Sequence, residues 1–361
     1  MSKVIKVLHT EWSDGWGGQE IRIIDEMNAM RLKGVEVFLS CKESSIIKER
    51  ALIHGIKVFP LAFNGNADMK TLLSLKKIIK ANSIDIINTH SGKDTWVGGI
   101  AAKLSGIKFI RTRHLSNKIN SSRFNFINEL ADYIFTTGES VRADMIKYNR
   151  IKSNKIESIP TGIDTYKFDI DRYKRPKCRE QFNINNKEIV ICIIAVLRQF
   201  KRHDLFLYMA KSLIIKFPEK NFSFIIAGDG PQKSNIIDLI DKLNLSENVN
   251  MLGHVDYIPE LLTAIDIAVL SSDSKEGVPQ AVMQALFMGK NVVATNSGST
   301  QDLFKHNNFQ LVKTNSTIDL VEGVSFFLNQ SIAKKNKVLI DNKFSSKFMA
   351  SRILQVYESL I

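Results

Sequence analysis

"EIVICIIAVLRQFKRHDLFLYMAKSLIIKF", residues 188–217, joins an apolar run, a cationic turn and a helical stretch. The run is almost unbroken, the pattern of a strand covered on both faces, as in parallel sheets flanked by helices. The same alternation continues downstream through "FSFIIAGDG" (222–230), "VNMLG" (249–253), "DIAVLSS" (266–272) and "NVVATN" (291–296). Upstream it reads "VIKVLHT" (4–10), "VEVFLSC" (35–41), "KVFPLAF" (57–63), "DIINTH" (85–90), "KFIRTRH" (108–114) and "YIFTTG" (133–138). Between the two series, "SIPTGIDTYKFDIDRYKRPKCRE" (158–180) breaks the pattern with Pro160, Gly162 and dense charge. A chain of 361 residues exceeds what one core usually organises. The expectation is therefore α/β, with two Rossmann-like doubly wound domains at 1–163 and 164–341. A last amphipathic segment, "SKFMASRILQVYESLI", lies in 342–361 and is expected to cross back to the first domain. Ligands of such sheets bind at the carboxyl ends of the strands, so a cleft between the domains is the expected site.

Composition narrows the class. Charged residues make up 24% and apolar residues 44%, as in ordinary folded proteins. Cys41, Cys178 and Cys192 are widely spaced, which argues against a disulfide framework or a zinc site. With no signal-peptide pattern and no membrane-span run, the chain reads as cytoplasmic. Net charge is +13, and residues 71–130 hold ten Lys and Arg against Asp85, Asp94 and Glu129. Within them Lys103, Lys108, Arg111, Arg113, Lys118 and Arg123 form an acid-free run. Nucleic acid, anionic lipid or phosphorylated small molecules suit such a face, as does plain solubility. No nucleic-acid-binding motif accompanies the charge, so nucleic acid ranks last among the partners.

Several loops carry chemistry. "HTEWSDGWGGQEIR" places Gly15, Gly17 and Gly18 between a strand and a helix, where backbone amides can meet an anion, or where a tight turn is all that is needed. Its spacing fails the dinucleotide fingerprint. Arg198, Lys201 and Arg202 follow a strand and suit a diphosphate. In "SKEGVPQAVMQALFMGKNVVAT" (274–295), Glu276 precedes a helix opened by Pro279, near the amides of Gly277, Val278 and Gln280. Those amides fit a phosphate and the carboxylate fits sugar hydroxyls; a charge that complements the helix dipole is an equal reading. His90 and His114 each end a strand. Asp169 and Asp171, formally a metal-holding pair, sit in the connector and read as solvated acids.

Together, "GGQE", "SIPTGIDTYKF", "AVLRQFKRHDLF", "FIIAGDGPQ", "NVNMLGHV", "SSDSKEGVPQAVMQALFMGKNVVAT" and "NSGSTQDLF" resemble the retaining glycosyltransferases of family 4, with the GT-B fold. The resemblance implies an N-terminal acceptor domain and a C-terminal nucleotide-sugar domain, with no cofactor and no metal. Arg198 and Lys201 match the family's pair on the donor diphosphate. Glu276 matches the first of two glutamates and would hold the transferred sugar, with Gly277, Val278 and Gln280 supplying amides. Gly253 and His254 match the loop lining the nucleobase. His114 matches a histidine beside the reacting sugar, and Gly17 and Gly18 the loop over the diphosphate. Two departures stand out: the second, ribose-binding glutamate is Gln284, and the later "GG…E" segment reads Gly298-Ser299-Thr300-Gln301. Glutamine keeps an acceptor for a hydroxyl. The catalytic set is thus Glu276, Lys201, Arg198 and His114. The expected activity moves a sugar from a UDP-linked donor to a bacterial surface glycan on a lipid carrier, at the inner face of the cytoplasmic membrane. The alternatives are a soluble sugar or phosphosugar acceptor, or a non-catalytic binding relative.

Overall fold

The computed structural model describes residues 3–114, 119, 126–273, 276–303, 307–329 and 342–361. It divides into two units, one of Met1–Gly162 with Asn342–Ile361 and one of Ile163–Asp341. Among the described residues the first unit has a seven-stranded parallel sheet: β1 (Lys6–Glu11), β2 (Glu36–Cys41), β3 (Lys57–Pro60), β4 (Ile86–Thr89), β5 (Lys108–Arg113), β6 (Tyr133–Thr136) and β7 (Ile156–Ser158). Their order is β3-β2-β1-β4-β5-β6-β7. The second unit has β8 (Ile189–Ile194), β9 (Phe222–Ala227), β10 (Val249–Gly253), β11 (Ile267–Leu270), β12 (Asn291–Thr295) and β13 (Phe309–Val312), ordered β10-β9-β8-β11-β12-β13. These are the two doubly wound sheets that the alternating pattern implies. Two edge strands, β7 and β13, were not expected, because "IES" and "FQLV" lie in polar surroundings without a longer apolar run.

Burial on both faces explains the apolar strands. Val7 and Leu8 are consecutive, so they point to opposite sides of the first sheet. Val7 packs with Ile23, Met27 and Ile353, while Leu8 packs with Leu75, Ala101 and Phe109. In β8, Val190, Ile191, Cys192 and Ile193 are all fully buried; Ile191 and Ile193 meet Phe206, Met209 and Phe224.

The helix Ser346–Leu360 belongs to the first unit, where Met349, Ile353, Val356 and Tyr357 enter the core beside the helix Gly18–Arg31. Only glycine fits at 162: a Cβ there would lie 2.4 Å from the Ser346 Cα. Beneath the helix lies a fully buried ion pair, with Arg22 Nε donating to Glu26 Oε2 at 3.1 Å. Arg22 Nη1 also donates to the Ile159 carbonyl, and Asn88 and the Tyr357 hydroxyl donate to Glu26 Oε1. Burial pushes the Glu26 carboxyl up, and Arg22 pulls it back.

Removing one member of a buried pair strands the other charge. Arg22→Ala should therefore cost the first unit about 3–5 kcal/mol in urea unfolding, whereas Tyr357→Phe should cost about 1 kcal/mol. Equal small losses would show that the pair is not what holds this helix.

Candidate functional site

In the second unit β8 pairs with β9 on one side and β11 on the other, so the chain leaves β8 in one direction and returns in the other. Doubly wound sheets open a crevice at such a reversal. Lys201 lies in the turn Gln199–Lys201 beyond β8, and Glu276 lies beyond β11. Ser271 Oγ donates to the carbonyls of Lys201 and Arg202, and the Asp273 amide to that of Phe200, pinning the turn to the exit of β11.

The Lys201 ammonium donates to Glu276 Oε1 at 2.6 Å, and Ser272 Oγ donates to the same oxygen at 2.6 Å. Glu276 is buried, yet its Oε2 accepts no hydrogen bond from a described residue. A carboxylate held by one oxygen with the other free can accept a ligand hydroxyl. Its backbone is equally constrained. Gly298, at φ +55, runs so close that a Cβ would sit 1.8 Å from the Glu276 carbonyl oxygen. The amides of Gly277, Val278 and Gln280 donate to no described acceptor at the start of the helix Gln280–Phe287. Dipole and free amides there favour an anion.

Arg198 is exposed and makes no hydrogen bond through its guanidinium to a described residue. It lines a cavity of about 620 Å³ together with Gln199, Phe200, Gln232 and Asp273. Arg202, grouped with it from the sequence, lines the same cavity but is engaged by partners there: it grips Asp204 and also bonds Asn315.

Gly253, at φ +67, ends β10, and its carbonyl accepts from the Gly228 amide at 2.7 Å. Gly228 in turn lies so close to Ala195 that a Cβ would be 1.9 Å from that carbonyl oxygen. The exits of β8, β9 and β10 are thus stitched together. His254 is exposed and bonds Asp256, and among the described residues no hydrogen bond joins it or Gly253 to the Lys201–Glu276 pair. Gln284 is half-buried, and its amide bonds to no described residue. Ser271, Ser272 and Gly298 were missed as functional residues. The adjacent serines before Glu276 were the available signal for the first two.

The first unit repeats the reversal between β1 and β4. There His9 Nδ1 meets His90 Nε2 at 2.9 Å, and His90 Nδ1 meets His114 Nε2 at 3.0 Å. Burial lowers all three, aided next by neighbouring arginines for His9 and His114 and by the two flanking histidines for His90: His9 falls to about 3, and His90 and His114 lie well below the usual range. His114 is therefore neutral and is held by a chain of neutral rings, of which His9 carried no sequence signal beyond its strand. Beside them, Glu11 accepts from Ser13, Gln19 and Ser91. It fixes the loop that leads through Gly17 to Gly18, the first residue of the helix. Burial and then Asp94 and Glu20 push the Glu11 carboxyl up to about 8.

Of the acid-free basic run, Arg111 is buried against Thr95 and the Ser91 carbonyl, and Lys103 pairs with Asp132. Lys118 and Arg123 lie outside the described residues. The run is thus in part interior wiring rather than a solvated face. Asp169 caps the turn Ile170–Arg172, and no group of three metal-ligating side chains occurs among the described residues.

These shifts set a pH profile. The unfolded chain protonates His9 below pH 6.5 and the folded chain only near 3, so stability falls as pH drops across that interval. Glu11 acts oppositely: the folded chain keeps its proton to about 8, the unfolded one to 4.5, so stability falls as pH rises toward 8. Tm should decline between pH 6.5 and 8 in the native chain and stay flat in Glu11→Gln. Equal declines would remove Glu11 as the cause.

The "Glycosyltransferase Family 4" model matches residues 16–167, and "Glycosyl transferases group 1" matches residues 174–345. The chain is 26% identical over 319 residues to the UDP-Gal:alpha-D-GlcNAc-diphosphoundecaprenol alpha-1,3-galactosyltransferase of Escherichia coli, covering 84% of this chain and 82% of that one. It is 25% identical to the N,N'-diacetylbacillosaminyl-diphospho-undecaprenol alpha-1,3-N-acetylgalactosaminyltransferase of Campylobacter jejuni, covering 85% and 87%. Among solved structures, HepE of Anabaena with UDP and glucose superposes with a TM-score of 0.83 at 19% identity, over 99% of this chain and 100% of that one. Two parallel sheets, each with its polar cluster at the strand reversal, and two family models that between them span nearly the whole chain lead to one conclusion: this protein belongs to the family 4, group 1 glycosyltransferases and is a transferase with the GT-B fold.

Proposed function

We propose that this enzyme transfers a hexose from a UDP-sugar to a hydroxyl of a growing bacterial surface glycan carried on a lipid diphosphate, with retention of anomeric configuration. The observation that carries the reading is the Lys201–Glu276–Ser272 cluster, in which one carboxylate oxygen and the Arg198 guanidinium bond to no described residue, beside helix amides that donate to no described acceptor. Glu276 holds hydroxyls of the transferred sugar. Arg198, Lys201 and the amides of Gly277, Val278 and Gln280 receive the negative charge that builds on the leaving diphosphate. The acceptor hydroxyl attacks from the face the diphosphate leaves; the sugar–phosphate bond breaks and the departing phosphate takes the hydroxyl proton. No second carboxylate is then required, unlike the paired acids of glycosidases.

Gln284 holds a ribose hydroxyl, Gly253 and His254 line the base, and Gly17, Gly18 and His114 serve the donor from the first unit. No cofactor or metal takes part. The acceptor class rests on the E. coli and C. jejuni relatives, whose names specify diphospho-undecaprenol-linked sugars. On this reading the enzyme works at the inner face of the cytoplasmic membrane; no described helix is long and apolar enough to cross one.

A panel of UDP-, GDP- and ADP-sugars with lipid-linked glycan, read by nucleotide release and by the anomeric configuration of the product, tests this. Release of UDP and a retained linkage are expected; inversion or a GDP-only donor would refute the corresponding part. Glu276→Ala and Lys201→Ala should each lower kcat about 10²–10³-fold in a folded protein. Gln284→Glu should keep or strengthen UDP binding, and a large loss would show a pocket built around the amide.

A further inference from the structure

A second cationic cluster stands in the first unit, formed by residues other than those assigned to the donor. Trp12 follows β1, Lys42 follows β2, the segment 64–69 comes after β3, and Lys93 follows β4. These are four adjacent strands of the sheet, so all these residues gather at its ligand-binding end. Lys42 Nζ lies 5.0 Å and Lys93 Nζ 4.2 Å from the centre of the Trp12 indole. One aromatic ring thus gathers two ammonium groups, of which Lys42 is already paired with Asp14 and Lys93 is left for an anion. Lys42 is not a waving surface chain: its side chain is only 22% exposed and is tied to Asp14. Lys93 makes no ion pair with a described carboxylate. It sits in the first turn of the helix Gly92–Leu104, where the dipole disfavours a cation and favours an anion beside it.

A shallow groove of about 730 Å³ runs from Lys93 along residues 64–69. Its wall is fixed. Asp68 accepts from the Asn64 and Thr71 amides, and the bulky, buried Phe63 is held in the left-handed region at φ +47. Backbone held in that region at a bulky residue marks a place where the surroundings override local preference. The side-chain amides of Asn64 and Asn66 bond to no described residue and face this groove as free donors and acceptors.

We propose that this groove is the acceptor's phosphate subsite: Lys42 and Lys93 bind the diphosphate that joins the acceptor glycan to its lipid, and Asn64 and Asn66 bind hydroxyls of the adjoining sugar. Lysine is a compact donor suited to phosphate oxygens, and Trp12 is the post that keeps the two ammonium groups in place. The proposal rests on the lipid-diphosphate reading of the acceptor. It adds a reason for selectivity: an acceptor without phosphate would lack its charged anchor.

The test uses full-length protein with 15N-labelled tryptophan and saturating UDP, which fills the donor's own phosphate site. The Trp12 indole signal is assigned with Trp12→Phe. Short-chain alkyl GlcNAc diphosphate is titrated against the matching phosphate-free alkyl glycoside and against phosphatidylglycerol vesicles carrying no glycan. The diphosphate alone should move the Trp12 signal. The double variant Lys42→Gln/Lys93→Gln should weaken that binding about tenfold or more, with UDP affinity retained. An equal response to the phosphate-free glycoside, a response to the vesicles alone, or unweakened binding in the double variant would each overturn the proposal. Failure to bind UDP would instead count against the donor assignment, so the two readings fail separately.

Discussion

In each sheet, one strand is paired before the chain has reached its second neighbour. β1 takes β2 on one side and β4 on the other; β8 takes β9 and β11. Parallel strands need crossovers of one hand, so the helices on the two sides of such a strand fall on opposite faces and the loops above it part. The Lys201–Glu276 cluster and the histidine chain each sit at one of these two partings. The ion pair of Lys201 and Glu276 bridges β8 and β11, and the histidine chain bridges β1, β4 and β5. The apolar strands therefore do more than fill a core: their pairing order decides where charges can be gathered at low cost.

The two clusters solve opposite electrostatic problems. Glu276 keeps a nearby cation and an oxygen that bonds to no described residue, which suits a ligand. The first unit instead buries three imidazoles and a carboxylate with few counter-charges, and the cheaper answer is to leave them uncharged. On the proposed reading, a neutral His114 would donate or accept a hydrogen bond without placing a fixed positive charge beside the transferred sugar.

Much of this was legible in the sequence. Eleven of the strands and the two sheets follow from apolar runs alternating with helices, and the grouping of Lys201 with Glu276 at one site follows from the family resemblance. What escaped lacked a local signal. β7 and β13 are short edges. Arg111 read as part of a basic face and Arg202 as a diphosphate ligand because charge alone does not reveal a side chain's partners: Arg111 is buried against Thr95, and Arg202 is held by Asp204 and Asn315. Gly298 matters through a contact with residue 276, a proximity no spacing rule carries. His9 reads as a strand residue until β4 and β5 bring His90 and His114 beside it.

The helix Ser346–Leu360 gives the molecule an order of assembly. During synthesis the residues of the second unit are complete before this helix leaves the ribosome, although it finishes the first. Until then Ile23, Met27 and the Arg22–Glu26 pair lack the cover of Met349, Ile353 and Tyr357. The part of the chain made first is the part sealed last, and the nascent protein carries an open apolar face for most of its time on the ribosome.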